Sequence, residues 1–247
     1  MRIDLCCSAP QFKAYFRKEN PQIVLVIDVL RASSSICAAL GNRAHEIIIV
    51  AQLEEALRYK EAGWLVGAER HAKRCSFAQF GNSPFDYKME QVQGQSIVFS
   101  TTNGTKCVDV AFKTGAKEVL IGAYVNLPTI VRYLSDRTER DVLVLAAGWE
   151  DTVGAEDCLF AGALAWNMEK IGICCSLGDS ARMMRDLWIS ECAEGENLLD
   201  YIRQSEHYQR MECAGVAQDV PFCLVPQPEA VLPIVRSVDG RYICTSN

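Results

Sequence analysis

The sequence predicts an α/β protein in which a largely parallel sheet carries helices on both faces. Two observations predict it. Runs such as Ile23–Ile27 are apolar throughout rather than alternating, as expected of strands buried on both sides. These runs take turns with segments of helical spacing, the order that a parallel sheet with crossover helices requires. The chain has 247 residues, 49% hydrophobic and 23% charged, with a mean hydropathy of +0.03, enough for a sizeable core.

Taken in order, Ile23–Ile27 is a β-branched and leucine run, and Ser33–Leu40 has helical spacing with a stop at Gly41. The alternation continues with strand Glu46–Val50, helix Leu53–Ala62 and strand Trp64–Gly67. It resumes with strand Ser96–Ser100, helix Thr105–Thr114, strand Glu118–Ile121 and helix Leu127–Ser135. Strand Asp141–Ala147 and helix Glu156–Lys170 complete it. Between them, Glu69–Pro84 is rich in charge, Gly and Ser and longer than an ordinary βα connection, a length typical of functional loops. Beyond Gly172 the pattern turns mainly helical, with helices over Asp179–Ser190 and Glu196–Arg210 and short strands at Phe222–Val225 and Tyr242–Cys244. This division predicts a sheet domain over residues 1–172 and a smaller, mainly helical C-terminal lobe or cap over 173–247.

Composition excludes several function classes. A net charge of −6 and a pI near 5.2, with scattered basic residues, disfavour nucleic acid, whose binding depends on neutralising many phosphates. No apolar stretch reaches the roughly 20 residues of a membrane span. Twelve cysteines invite a disulfide reading, yet Cys37, Cys107 and Cys158 fall within helical patterns and Met1-Arg2-Ile3-Asp4 does not open a secretory signal. Reduced thiols and a cytoplasmic location are expected. The doublets Cys6-Cys7 and Cys174-Cys175 and three distant histidines lack zinc-ligand spacing.

Open parallel sheets bind ligands outside the carboxyl ends of their strands, so the polar residues following each run are the candidates. The run ending at Ser100 delivers Ser100-Thr101-Thr102-Asn103-Gly104-Thr105 to a helix start, where hydroxyls and an amide surround a glycine. Backbone N–H groups converge there on an anion. The first run ends in Asp28-Val29-Leu30-Arg31-Ala32-Ser33-Ser34-Ser35, the third in Glu69-Arg70, and the last in Gly148-Trp149-Glu150-Asp151 with Glu156-Asp157 close behind. Acids, arginines and an anion loop are expected to meet along one edge.

Each candidate also has a plain structural explanation. Asp28 stands among apolar neighbours, where a carboxylate needs a partner or a metal, but it equally suits capping the next turn or pairing with Arg31. One of Ser33, Ser34 and Ser35 is expected to N-cap the helix, leaving one to touch a ligand. Glu156 and Asp157 occupy a first helical turn, where the dipole favours acids without any function. Lone histidines such as His71 and His207 are usually solvated. The Walker phosphate loop and the dinucleotide glycine motif are both absent. Cys175 to Arg182 is one residue too long for a thiol phosphatase loop.

VIDVLRASSS at 26–35, GAER at 67–70, GNSP at 81–84 and STTNGT at 100–105 come in the order and approximate spacing of the 2-phosphosulfolactate phosphatase family. AAG at 146–148, ED at 156–157 and AG at 161–162 extend the match, so the chain resembles that family over most of its length. The resemblance implies a magnesium-dependent phosphatase on a family-specific α/β fold. It would convert 2-phospho-3-sulfolactate to 3-sulfolactate and phosphate, a step of coenzyme M biosynthesis. Beside it the residues suggest roles. Asp28, Glu150, Glu156 and Asp157 are hard-oxygen candidates for Mg²⁺, and Asp28, Arg31 and Glu150 form the candidate catalytic set. Ser33, Arg70, Asn82, Ser83, Thr101, Thr102, Asn103, Gly104 and Thr105 are candidate contacts for a small phosphorylated, multiply anionic substrate. Association with further copies of the chain stays open.

The sequence leaves two routes, an ion-activated water or Asp28 as nucleophile. It also leaves a different class, a metal-independent phosphosugar isomerase or sugar-phosphate-binding protein, which would not need acids at several strand ends. Two departures from the family pattern fall in one loop. Gln79 stands where an acid is expected, and His71-Ala72 replaces a glycine pair.

Overall fold

The computed structural model describes residues 1–17, 22–192 and 196–247. In chain order its first half comprises β1 (Arg2–Cys6), α1 (Phe12–Tyr15), β2 (Ile23–Ile27), α2 (Ala32–Gly41), β3 (Glu46–Ile49), α3 (Leu53–Glu61), β4 (Leu65–Arg70), β5 (Lys73–Arg74), α4 (Met89–Val92), β6 (Ser96–Ser100) and α5 (Gly104–Thr114). The second half comprises β7 (Val119–Gly122), α6 (Leu127–Ser135), β8 (Val142–Ala146), α7 (Ala155–Lys170), β9 (Ser176–Leu177), α8 (Asp179–Ser190), α9 (Leu198–Ile202), α10 (Glu206–Cys213), α11 (Val220–Cys223), β10 (Pro233–Val238) and β11 (Arg241–Ser246).

The strands form one 11-stranded sheet in the order β5-β4-β6-β3-β11-β10-β7-β2-β8-β1-β9. The expected burial on both faces is realised residue by residue. Ile23, Leu25 and Ile27 of β2 point into one core with Val142, Val144 and Ala146 of β8, while Val24, Val26, Leu143 and Leu145 point into the other. The first core is closed by α6, α7, α8 and the C-terminal helices, the second by α1, α2 and α5. Close packing of α8 on α7 requires Gly162, because a Cβ there would strike the Met184 carbonyl oxygen; the AG pair at 161–162 thus serves helix contact.

Two parallel blocks make up the sheet. One is β4-β6-β3, the other β7-β2-β8-β1-β9, and the antiparallel hairpin β10–β11 is inserted between them. Three antiparallel pairings in succession reverse the nominal sense of one block against the other. Strands twist by about 20–25° per pair, so over the five steps from β6 to β2 two such blocks are turned away from direct opposition. Their carboxyl ends meet, as the contact between Gly104 and Asp28 described below shows.

Several elements differ from the sequence expectation. Phe222–Val225 is not a strand: Pro221 occupies the first turn of α11, which its fixed φ favours. The helix expected over Glu196–Arg210 is broken into α9 and α10, because the Ser205 hydroxyl accepts from the Tyr208 N–H and starts a new helix. None of the three serines caps α2. Its Ala32 N–H is satisfied by Asp28 Oδ1 at 3.1 Å. A boundary at residue 172 would cut through the sheet, since the hairpin of the C-terminal segment lies at its centre.

The charged Glu69–Pro84 loop begins as a tight hairpin, with β4 running through Arg70 and turning at His71-Ala72 into β5. Both turn residues have positive φ, 54° and 61°, which explains why glycine suits those positions. All twelve cysteines are free thiols. No helix among the described residues is long and apolar enough to cross a membrane.

Candidate active site

β2 delivers Asp28 to a buried position at the sheet's carboxyl edge. Its backbone N–H donates to Ser33 Oγ at 2.9 Å and its carbonyl accepts from the Ser33 N–H at 2.8 Å, locking the strand-to-helix turn. Oδ1 takes the Ala32 N–H, while Oδ2 accepts no hydrogen bond among the described residues and faces Gly104. A Cβ on Gly104 would lie 2.8 Å from that oxygen and 3.1 Å from Ala32 Cβ, so only glycine lets the anion loop approach so closely.

Glu156 and Asp157, in the first turn of α7, are fully buried beside Asp28 rather than being exposed dipole partners. Asp157 accepts the Val29 N–H at 2.8 Å through Oδ1 and the Gly148 N–H at 2.9 Å through Oδ2, stapling the ends of β2 and β8 together. Glu156 Oε1 meets His207 Nδ1 at 2.5 Å, and its Oε2 is buried with no partner. His207, on α10, is thus buried against an acid instead of solvated, and its ring lies 5.6 Å from that of Trp149.

The electrostatics follow from burial and mutual charge. Burial pushes Asp28 up to about 6, helped by the charges of Glu69 and Glu156 and opposed by the Ala32 N–H and His207. Asp157 is pushed well above the usual carboxylate range by burial and by its two acidic neighbours. Burial also pushes Glu156 up, but the charge and hydrogen bond of His207 outweigh it and hold the carboxyl below its ordinary value. His207 is desolvated too, yet Glu156 raises its imidazole, so the two form an ion pair.

On the other block, Arg70 Nη1 donates to the Glu69 carbonyl at 2.6 Å and the Ser100 carbonyl at 3.3 Å, while Nη2 donates to Ser100 Oγ at 3.1 Å. Helix α5 begins at Gly104 with no side-chain cap from Asn103, so its first-turn N–H groups are free to face an anion. The Thr105 hydroxyl is spent on the Thr101 carbonyl at 2.9 Å. Thr101 Oγ1 and Thr102 Oγ1, by contrast, are buried and unpartnered. Each is a hydroxyl whose desolvation nothing among the described residues offsets.

Other candidates sit differently. Ser33 is used within the Asp28 turn. In the 81–84 loop the Asn82 carbonyl accepts from Ser35 Oγ at 2.8 Å, leaving Asn82 Oδ1 buried and unpartnered. The Ser83 hydroxyl donates to Asp219 Oδ1 at 3.0 Å. Arg31 is buried and pairs with Asp219, not Asp28, and its Nη2 donates to the Ala72 carbonyl at 3.2 Å. Glu150 is exposed in a tight turn at φ 46°, outside the buried cluster. Its neighbour Asp151 bridges to Lys106 of α5 at 2.6 Å, tying the β8 turn to the anion loop. Gln79 Oε1 accepts the Val66 N–H at 3.0 Å and so serves strand β4.

His207, Asp219 and the buried Glu69 complete the site. Glu69 Oε1 accepts the Ala72 N–H at 2.6 Å. A larger apolar groove of about 700 Å³, lined among others by Cys37, Phe85, Phe222 and Pro228, contains none of these residues.

No three His, Cys, Asp or Glu side chains among the described residues form a ready-made metal cage. The donor set nevertheless suits Mg²⁺, which is commonly held by one or two carboxylates with water and substrate phosphate completing its shell. Asp28 Oδ2 and Glu156 Oε2 are the unclaimed oxygens that fit, whereas both Asp157 oxygens are occupied by backbone.

Buried carboxylates facing a hydroxyl-rich anion loop flanked by arginines define a class, an α/β enzyme of the phosphoric monoester hydrolase kind. The family model described as 2-phosphosulpholactate phosphatase matches residues 11–237. The chain belongs to the 2-phosphosulfolactate phosphatase family. It is 34% identical over 220 residues to a probable 2-phosphosulfolactate phosphatase of Thermotoga petrophila, covering 89% of this chain and 90% of that one. A protein of the same description from Caldanaerobacter subterraneus subsp. tengcongensis is 31% identical over 87% of this chain and 88% of its own length. Another, from Clostridium beijerinckii, is 29% identical over 99% of this chain and 100% of its own.

Proposed function

We propose that the protein hydrolyses the phosphate ester of 2-phospho-3-sulfolactate with Mg²⁺, releasing 3-sulfolactate and phosphate on the route to coenzyme M. The observation that carries this reading is the meeting of Asp28 Oδ2 with the anion loop at Gly104, where buried Thr101 and Thr102 hydroxyls have no partner among the described residues. A phosphoryl group seated there would satisfy both hydroxyls and the uncapped N–H groups of α5. Arg70, anchored to Ser100, and Arg31 would stabilise charge developing on the phosphoryl oxygens, and either can take a second anionic group of the substrate. Mg²⁺ held by Asp28 and Glu156 would supply Lewis-acid polarisation of the ester. The isomerase alternative gives no reason to bury Asp28, Glu156 and Asp157 together, and their assembly favours hydrolysis. Twelve free thiols fit a reducing, cytoplasmic setting.

Phosphate release from 2-phosphosulfolactate, phospholactate and p-nitrophenyl phosphate tests the reading. The sulfonate is expected to be turned over best, and only with Mg²⁺. Release from none of them would remove the phosphatase assignment, and equal turnover of phospholactate would remove the substrate assignment alone.

A further inference from the structure

Asp219 lies 188 residues from Arg31 in sequence and only 1% exposed, at the N-cap position of α11. A 3₁₀ turn, Ala217–Asp219, runs directly into that helix, and the Asp219 side chain makes no hydrogen bond to its first turn. Its carboxylate points away from its own helix, with Oδ2 accepting from Arg31 Nη1 and Oδ1 accepting from Ser83 Oγ. One carboxylate therefore joins the start of α2 to the 81–84 loop. Through the bond from Arg31 to the Ala72 carbonyl, the same guanidinium also holds the His71-Ala72 turn.

Burying a carboxylate and a guanidinium together is a weak way to stabilise a fold, because desolvation offsets most of their attraction. What the pair does accomplish is orientation. Arg31 is buried, so its charge cannot be spread over solvent, and the contacts to Asp219 and Ala72 leave most of its N–H donors unclaimed among the described residues. We propose that Asp219 is a positioning residue, one that fixes the Arg31 guanidinium and the Ser83 loop so that the remaining donors of Arg31 face the anionic substrate. The proposal rests on the reading of the site as that of a phosphate-ester hydrolase. It assigns a part of the site to the C-terminal segment, outside every motif that marks the family in this sequence.

The test is a double-mutant cycle of Asp219→Asn with Arg31→Lys, read in two ways: kcat and KM for phosphate release, and calorimetric affinity for inorganic phosphate. On the natural background, Asp219→Asn is expected to lower kcat/KM at least about tenfold; on the Arg31→Lys background it should cost less than about threefold. Phosphate affinity should show the same non-additivity. Equal losses on both backgrounds, or no loss, would overturn the proposal, and so would coupling seen in thermal melts alone with phosphate affinity additive, since a purely structural pair couples in folding only. Should Asp219→Asn fail to fold, Asp219→Glu enters the same cycle. It keeps the charge but moves it by one methylene, and an Arg31-dependent loss is again expected, with no loss or an additive one contradicting the assignment. Natural protein that binds phosphate but hydrolyses no ester would refute the phosphatase reading while the affinity cycle still decides the role of Asp219. Natural protein that does neither would sink both.

Discussion

The two walls of the site are built on opposite terms. Around Asp28, Glu156 and Asp157 four of the six carboxylate oxygens are claimed by Ala32, Val29, Gly148 and His207, and only Asp28 Oδ2 and Glu156 Oε2 stay open among the described residues. Across from it, the anion loop keeps Thr101 and Thr102 buried without partners and leaves its helix uncapped. The first wall is wired to hold charge where burial opposes it. The second bears a desolvation cost that a bound anion would relieve. A substitution that removes one of the acid wall's claimed contacts should therefore disturb the fold, and one in the loop should disturb binding alone.

The largest effect on stability is expected for Glu156→Gln. It removes the charge opposing His207 in a fully buried site, although the imidazole limits the damage by releasing its proton. Stability should fall by about 2 kcal/mol, lowering Tm by roughly 4–8 °C, and activity should fall with it. Thermal melts that match the natural protein would break the contrast between the walls. Next comes Thr101→Val, which exchanges an unpartnered hydroxyl for a methyl. KM should rise about tenfold, or ~1.4 kcal/mol, with Tm unchanged or higher. A lowered Tm with unchanged KM would show that the hydroxyl serves the fold. The smallest effect sharpens the edge of the loop wall: Ala72→Gly relieves a positive φ of 61° and should raise stability by on the order of 1 kcal/mol in a denaturant titration. No gain would mean that the hairpin turn is not strained by its side chain.

The same contrast separates what the sequence makes legible from what it hides. β2, β4 and β6 carry apolar runs with both faces buried, and the polar residues ending each run are local to it, so Asp28, Arg70 and the Ser100–Thr105 loop can be found by position. Partners are another matter. The Arg31–Asp219 and Glu156–His207 pairs span 188 and 51 residues, and nothing in the sequence near Asp219 or His207 distinguishes them from solvated polar residues. Arg31 can be seen as a cation in search of an anion, but Asp28, the acid nearest in sequence, turns Oδ1 to the Ala32 N–H and the guanidinium pairs with Asp219 instead. β1 is masked by Arg2 and Asp4 within a five-residue strand, although Asp4 is itself buried beside Arg2. The insertion of β10 and β11 between β7 and β3 depends on pairing between distant strands, which no local pattern encodes.

The central claim is that buried carboxylates and an anion loop from two strand blocks form one Mg²⁺-dependent hydrolytic site. Phosphate release from 2-phosphosulfolactate, measured for the natural protein and for Asp28→Asn with Mg²⁺ and with chelator, tests it most directly. The natural protein should turn over only with Mg²⁺. Asp28→Asn should lose about 10²–10³-fold in kcat while melting no lower, because burial already disfavours the charge it removes. Near-normal turnover by Asp28→Asn, or turnover that survives the chelator, would contradict the account.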